Sequence, residues 1–227
     1  MLSRLPKKNL KNSLILKVFN WQTVTTGRPI RFTFVNTSFT MNRVLFSLFV
    51  SICFGITVQA QNNVPAIDKS PMDISYYPVN YPVLKIQDKI TEPLAARVVY
   101  SRPQKAGRPI FGGLVKYGEL WRLGANEATE IEFFKNVHLG KKKINKGRYT
   151  LYAIANETTW TIIVNKETDT WGSFKYDAKK DVTRAIVTAQ KNDTVVESLS
   201  MYFEKTIGGF NLIIAWDNIK TAVPFTF

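Results

Sequence analysis

From residue 96 onward, short stretches of alternating or continuous apolar residues recur, and each is followed by residues that favour turns. Residues 96–100, 149–154 and 160–164 are rich in β-branched and aromatic side chains, which are typical of strands. Asn156-Glu157-Thr158 separates the last two and predicts a hairpin. Many short strands at this spacing predict a mainly β fold. We expect a single antiparallel β-sandwich or jelly-roll-like domain with little helix.

The rest of the domain follows the same theme. Further strands are predicted at 130–134, 182–188, 195–204, 210–216 and 219–227. Their predicted turns are Lys191-Asn192-Asp193, Gly208-Gly209 and Asp217-Asn218. Because residues 210–216 are almost all apolar, that strand is expected to be buried on both faces. The prolines in residues 73–82 restrict that stretch to an edge strand or an extended segment.

A different pattern occupies the beginning of the chain. Residues 44–58 are mostly apolar, follow the positive start Asn42-Arg43, and end at the small-residue cleavage site Val58-Gln59-Ala60. This run is shorter than the roughly 20 apolar residues of a spanning helix. Residues 41–60, Met41 to Ala60, therefore predict a cleavable secretion signal and an exported, periplasmic or secreted, product beginning at Gln61. The alternative is an uncleaved membrane anchor.

The signal divides the chain into four parts. Because Met41 opens it, residues 1–40 are predicted to be a mis-assigned N-terminal extension, and a genuine extension is the alternative. Residues 61–70 are polar and predict a flexible leader. Residues 71–227 then form the β-sandwich domain, whose length suits a sizeable core. The sequence leaves the oligomeric state open.

Charge and cysteine content narrow the function classes. The first sixty residues carry eight basic and no acidic side chains, so the remainder has 23 basic and 17 acidic groups, a net +6 rather than +14. The overall basicity therefore does not predict a nucleic-acid partner. Cys53, the sole cysteine, lies in the signal, and His138 is the sole histidine. We therefore predict no metal site, no cofactor and no thiol chemistry.

Residues 101–129 lie between two predicted strands and are rich in glycine and arginine. Loops of this length are usually functional or ordered by their own packing. Guanidinium groups suit anionic ligands, and tryptophan offers a stacking face. We therefore predict a site for a small anion or glycan, with the ligand-binding residues Arg102, Arg108, Trp121, Arg122, Asn126 and Glu127.

Two alternatives remain open for this loop. The first is a hydrolase-type enzyme in which Glu127 acts as the general base. The second is a purely structural motif, in which Arg122 pairs with Glu127 or Glu119 and Trp121 fills the core. The sequence does not decide whether the protein is an enzyme.

The motifs of this loop also resemble a known family. They are Ser101-Arg102-Pro103, Gly107-Arg108, Ile110-Phe111-Gly112 and Trp121-Arg122-x-Gly124-Ala125-Asn126-Glu127-Ala128-Thr129, followed by Gly147-x-Tyr149-x-Leu151-Tyr152 and the Trp160 strand. Together they resemble the DUF2911 family over nearly all of the mature chain. The resemblance implies an exported protein, found mainly in Bacteroidetes, with no settled activity. Some relatives carry an asparagine-synthetase label, but this chain has neither an N-terminal cysteine nucleophile nor a glycine-rich pyrophosphate loop.

Overall fold

The computed structural model describes residues 64–227. The predicted extension, the secretion signal and the start of the leader lie outside the described residues. Within this part the chain forms ten strands, one α-helix and one 3-10 turn. The helix, α1, is Tyr81–Ile86, and the 3-10 turn is Ala178–Lys180. The strands are β1 (Met72–Tyr77), β2 (Ala96–Ser101), β3 (Leu120–Trp121), β4 (Glu130–Phe133), β5 (Val137–Leu139), β6 (Lys142–Ile144), β7 (Gly147–Ala155), β8 (Thr159–Asn165), β9 (Asp181–Thr206) and β10 (Gly209–Thr226).

All ten strands join one antiparallel sheet, in the order β1-β2-β4-β7-β8-β9-β10-β5-β6, with β3 paired to β7. β9 joins the two parts of this sheet, because its first part pairs with β8 and its second part pairs with β10. The prediction of a mainly β, antiparallel fold with little helix is confirmed. How the strands stack into a sandwich or jelly roll stays a prediction.

The alternation in the sequence explains how the strands bury their side chains. In β2, Ala96, Val98 and Tyr100 are buried, whereas Arg97 and Val99 are half-buried on the other face. The predicted hairpin forms between β7 and β8, with Thr150 opposite Asn165 at one end of the ladder. Both faces of β10 are largely covered near its start, as its apolar run predicts.

Two predicted turns are wrong. Lys191-Asn192-Asp193 does not reverse the chain, because β9 continues through it while β10 runs alongside, with Ile219 opposite Lys191. Asp217-Asn218 is likewise no reversal. It lies where the β9/β10 register shifts, and Asp217 has a φ of 53°. Residues with turn propensity are accommodated here in a bulge, because pairing with a distant strand outweighs local preference. The reversal at Gly208-Gly209 is confirmed by the pairing of Thr206 with Gly209.

The N-terminal part of the domain is more mixed than predicted. β1 is an edge strand, as its neighbouring prolines indicate. Tyr81 and Pro82, however, are not extended, because they form the start of α1. Proline suits the first turn of a helix, where the backbone N–H that it lacks would have no partner within the helix. Residues 64–70 form neither helix nor strand.

Candidate functional site

The first half of the glycine- and arginine-rich loop is tied into the fold. Arg102 Nη1 lies 3.0 Å from Asp73 Oδ2 in β1. Its Nε donates to the carbonyl oxygen of Leu199 at 3.2 Å, and its Nη2 donates to Ser200 Oγ at 3.0 Å. All of these partners belong to β1 or β9. Arg102 therefore joins two distant strands, and its guanidinium is engaged within the protein.

Arg108 bends back onto its own loop. Its Nε donates to the carbonyl oxygen of Lys105 at 3.1 Å, and its Nη2 donates to that of Gln104 at 2.6 Å. The ammonium of Lys105 in turn donates to the carbonyl oxygen of Arg108 at 3.0 Å. These bonds stabilise a local turn, and Arg108 is otherwise exposed.

Trp121 lies in the main hydrophobic core. It is 8 % exposed, and its Nε1 donates to the carbonyl oxygen of Gly124 at 3.3 Å. Its ring centroid lies 5.7 Å from that of Trp160 and 6.1 Å from that of Trp216. The ring is therefore packed against other aromatic rings. Trp121 fills the core, as in the alternative of a purely structural motif.

Arg122, the next residue, has a different environment. It is half-buried, and its Nε is buried without a hydrogen-bond partner. Among residues 64–227 it forms no ion pair, and Glu119 instead lies 4.0 Å from Lys116. The pairing of Arg122 with Glu119 or Glu127 is therefore not formed. Burial lowers the pKa of the Arg122 guanidinium because it disfavours the charged form.

Asn126 and Glu127 contact a second segment, residues 166–177, which we call the Trp171 segment. The amide of Gly172 donates to the carbonyl oxygen of Asn126 at 2.8 Å, and Glu127 forms an antiparallel bridge with Trp171. The Asn126 side chain donates to Asp68 Oδ2 at 2.7 Å. The end of the loop is therefore held beside the Trp171 segment.

Side chains of the sheet fasten the Trp171 segment. Thr150 Oγ1 donates to the carbonyl oxygen of Glu167 at 2.6 Å, and the Tyr152 hydroxyl lies 3.2 Å from Thr170 Oγ1. The Tyr176 hydroxyl donates to Asp181 Oδ2 at 2.7 Å. Burial, followed by this hydrogen bond to Asp181, raises the pKa of Tyr176 to about 12.

Two aromatic side chains of this anchored segment face solvent. Trp171 is 61 % exposed and Phe174 is 85 % exposed. Gly172 lies between them with a φ of +67°, and a Cβ there would come within 2.8 Å of the Phe174 ring. A side chain at position 172 would therefore displace the ring. Large aromatic groups presented on a fastened segment suit contact with a ligand.

A groove of about 270 Å³ lies beside this segment on the outer face of the sheet. We call it the charged groove, because strand residues of both signs line it. Its lining residues are Met72, Arg97, Val99, Glu127, Ala128, Glu130, Glu132, Arg148, Asp169 and Thr170. Of the predicted site residues, Glu127 lines the groove, whereas Arg102, Arg108 and Trp121 are engaged elsewhere in the fold.

Most charges in the groove are already paired. Arg97 Nη2 lies 2.7 Å from Glu132 Oε2, although this buried oxygen accepts no well-aligned hydrogen bond. Arg148 Nε lies 3.1 Å from Glu130 Oε2, and Arg148 also pairs with Asp169. Antiparallel register explains the first contact, because Glu132 lies directly opposite Arg97. Glu130 lies opposite Thr150, so its contact with Arg148 is a diagonal one between β4 and β7.

Glu127 is the exception in the groove. Within residues 64–227 its carboxylate has no ion pair and no side-chain hydrogen bond, and the residue is exposed. The groove therefore combines a paired, charged floor with one carboxylate free to accept hydrogen bonds. Trp171 does not line the groove, but it lies next to it through the backbone bridge with Glu127, and its ring is exposed.

Sequence reasoning missed most of the groove. Arg97, Glu130, Glu132 and Arg148 are charged residues that alternate with buried residues on β2, β4 and β7. This alternation was a usable signal for an outward face. Their meeting in one groove depends on the order in which the strands pair, which local patterns do not contain.

No cluster of three metal-ligating side chains occurs in the part of the chain that the structure describes. The helices formed by residues 64–227 include none that is long and apolar enough to cross a membrane.

The comparisons with known proteins agree with the loop motifs. The sequence model of DUF2911, described as a protein of unknown function, matches residues 82–225. No curated protein and no solved structure matches the chain. The match includes the whole 101–129 loop, β2 to β9 and nearly all of β10, which confirms the resemblance carried by the Trp121–Thr129 motif. The chain belongs to the DUF2911 family.

Proposed function

We propose that the protein is exported and binds a glycan at the charged groove, with Trp171 as the stacking surface and Glu127 as a hydrogen-bond acceptor. The observation that carries this proposal is the neighbouring position of the two residues. Glu127, which has no side-chain partner among the described residues, forms a backbone bridge with the exposed Trp171.

The chemistry of this pair suits sugars. A sugar presents hydroxyl groups at its edge and C–H groups on its ring face. A free carboxylate accepts strong hydrogen bonds from hydroxyl groups, and a tryptophan ring covers an apolar face. Ligand sites usually combine an apolar surface with a small number of well-placed polar groups, and this pair supplies both.

The floor of the groove supports the same proposal. The pairs Arg97–Glu132 and Arg148–Glu130 lie side by side on three neighbouring strands. Their side chains are partly exposed, so they offer both donors and acceptors to a ligand. Because each side chain is held by its partner, little rotamer entropy is lost when a ligand binds.

Calorimetric titration of the full chain tests the binding proposal. The probes are neutral oligosaccharides: cellohexaose, xylohexaose and fully methyl-esterified hexagalacturonate. We expect at least one of them to bind. Trp171→Ala is expected to abolish its binding, whereas the control Tyr202→Ala, at a 39 % exposed aromatic side chain on β9, leaves it unchanged. The proposal fails if no probe binds, or if the two variants behave alike.

Glu127→Gln separates binding from hydrolysis. The amide removes the negative charge but keeps the shape, so we expect weaker binding of the same probe and no products on long incubation. If the unaltered protein cleaves the probe and Glu127→Gln stops the cleavage, the enzyme alternative replaces the binding proposal.

Export is tested at the N-terminus. The predicted signal supports cleavage after Ala60, so we expect N-terminal sequencing of the protein recovered outside the cytoplasm to begin at Gln61. A peptide from residues 9–31 in that product would contradict both the cleavage and the assignment of residues 1–40.

A further inference from the structure

Arg122 differs from the other arginines of residues 64–227 in having no hydrogen-bond or ion-pair partner for its side chain among these residues. Each of the others contacts a carboxylate or a carbonyl oxygen: Arg97, Arg102, Arg108, Arg148 and Arg184. Arg122 alone has a buried Nε without a hydrogen-bond partner and no ion pair among the described residues. A charged group in this position is costly, because it loses contact with water and gains no protein partner.

The remaining part of the chain cannot supply a carboxylate side chain. Residues 1–63 contain no aspartate and no glutamate. All acidic side chains of residues 1–227 therefore lie in the part that the structure describes, and none of them pairs with Arg122. These residues supply no carboxylate for the guanidinium, so we look for one in a ligand.

The position of Arg122 connects it to the proposed glycan site. Its carbonyl oxygen accepts from the amide of Thr129 at 3.1 Å, and the amide of Ala128 donates to the carbonyl oxygen of Thr170 at 3.0 Å. Residues 128 and 129 therefore lie between Arg122 and the Trp171 segment and are hydrogen-bonded to both. Adjacent extended segments are about 5 Å apart, so the backbone at Arg122 lies about 10 Å from the Trp171 segment, a separation that an oligosaccharide bound at Trp171 can span.

We propose that the glycan is acidic and that Arg122 binds its carboxylate. This inference rests on the proposed glycan-binding function and names its ligand class as a uronate-containing oligosaccharide. The arginine fork matches a carboxylate in two parallel hydrogen bonds. The net charge of +6 on residues 61–227 favours the approach of such a polyanion.

The test measures how tightly the full chain binds two forms of the same oligosaccharide. Hexagalacturonate carries a carboxylate on each unit, and its methyl ester carries none. We expect the unaltered protein to bind the acid at least tenfold more tightly than the ester, since a hydrogen-bonded charge pair supplies a difference of that size. Arg122→Gln is expected to remove this preference while leaving the affinity for the ester unchanged.

Arg108→Gln is the matched control. It removes the same charge from an exposed arginine whose side chain contacts only carbonyl oxygens of its own loop. We expect it to keep at least most of the preference for the acid. Equal losses in both variants would assign the preference to overall charge and overturn the role of Arg122. Thermal melting confirms that each variant is folded.

The remaining outcomes separate this inference from the proposed function. If acid and ester bind equally and both require Trp171, the glycan site stands and the acidic-ligand inference is overturned. If neither binds, the acidic-ligand inference is overturned, and the proposed function fails as well unless cellohexaose or xylohexaose binds. If sodium sulfate alone raises the melting temperature through Arg122 while neither sugar binds, the site takes a free anion and both proposals are overturned.

Discussion

The loop 101–129 has two parts, residues 101–121 and residues 122–129, which we call its first and second half, and the arginines of the two halves differ in what they contact. In the first half, Arg102 joins β1 to β9, Arg108 stabilises a turn, and Trp121 fills the core. In the second half, Arg122 has no partner among residues 64–227, and Glu127 lines a groove next to Trp171.

The difference shows that partners, rather than residue types, decide what this loop does. An arginine that already contacts a carboxylate and two acceptors has few donors left for a ligand. An arginine without a partner has a fork to offer and an unfavourable environment to relieve. The first half therefore stabilises the fold, and the second half is the region in which we place the ligand.

Two tryptophan variants are expected to give the largest difference in stability and so test this comparison most strongly. Trp121→Ala removes a core ring packed against Trp160 and Trp216 and is expected to lower the free energy of unfolding by about 3–5 kcal/mol. Trp171→Ala, at a 61 % exposed ring, is expected to change it by less than about 0.5 kcal/mol. Urea denaturation measures both. Equal losses would mean that the Trp171 segment is part of the core structure.

Arg102 gives the next largest effect. Its side chain is 38 % exposed, so the ion pair with Asp73 is screened by solvent, while the bonds to Leu199 and Ser200 remain. We expect Arg102→Ala to cost about 1 kcal/mol. A double-mutant cycle with Asp73→Ala should assign less than about 1 kcal/mol to the ion pair itself. A change in the free energy of unfolding near zero would show that Arg102 does not stabilise the fold.

Arg122→Met is the opposite case. Because Arg122 is half-buried and has no partner among residues 64–227, replacing it with an apolar side chain of similar length should leave stability within about 0.5 kcal/mol or increase it. Thermal and urea unfolding in the absence of ligand measure this. A loss as large as that of Arg102→Ala would show that Arg122 has a structural partner.

The smallest effect concerns the anchor of the Trp171 segment and appears only in alkali. The pKa of Tyr176 is raised from 10.0 to about 12 in the folded state. The unfolded chain therefore releases this proton first, so the contribution of Tyr176 is complete below about pH 10 and declines between about pH 10 and 12. We expect the stability advantage of the unaltered protein over Tyr176→Phe to shrink across this range. An advantage independent of pH would contradict the shift.

Local patterns predicted most strands of this fold because each strand alternates in its own sequence. The alternation of Ala96, Val98 and Tyr100 with Arg97 and Val99 is a property of adjacent residues, and it identifies β2 directly. The same reasoning divided β9 at Lys191-Asn192-Asp193. It failed there because the pairing of Lys191 with Ile219 spans distant parts of the chain.

The candidate site was predictable only in part, for a similar reason. The motif around Glu127 marked the right stretch of chain. It contains Trp121, which is buried, and not Trp171, which is exposed, because burial depends on which strands surround a residue. The groove floor required the register that places Glu132 between Arg97 and Arg148.

Backbone amide NMR shifts of the full chain during titration with hexagalacturonate test the central comparison most directly. We expect shifts concentrated in residues 122–129 and in the Trp171 segment, with little change in residues 101–121. Shifts centred on Arg102, Arg108 and their neighbours would contradict it, because they would place the ligand in the half of the loop that we assign to the fold.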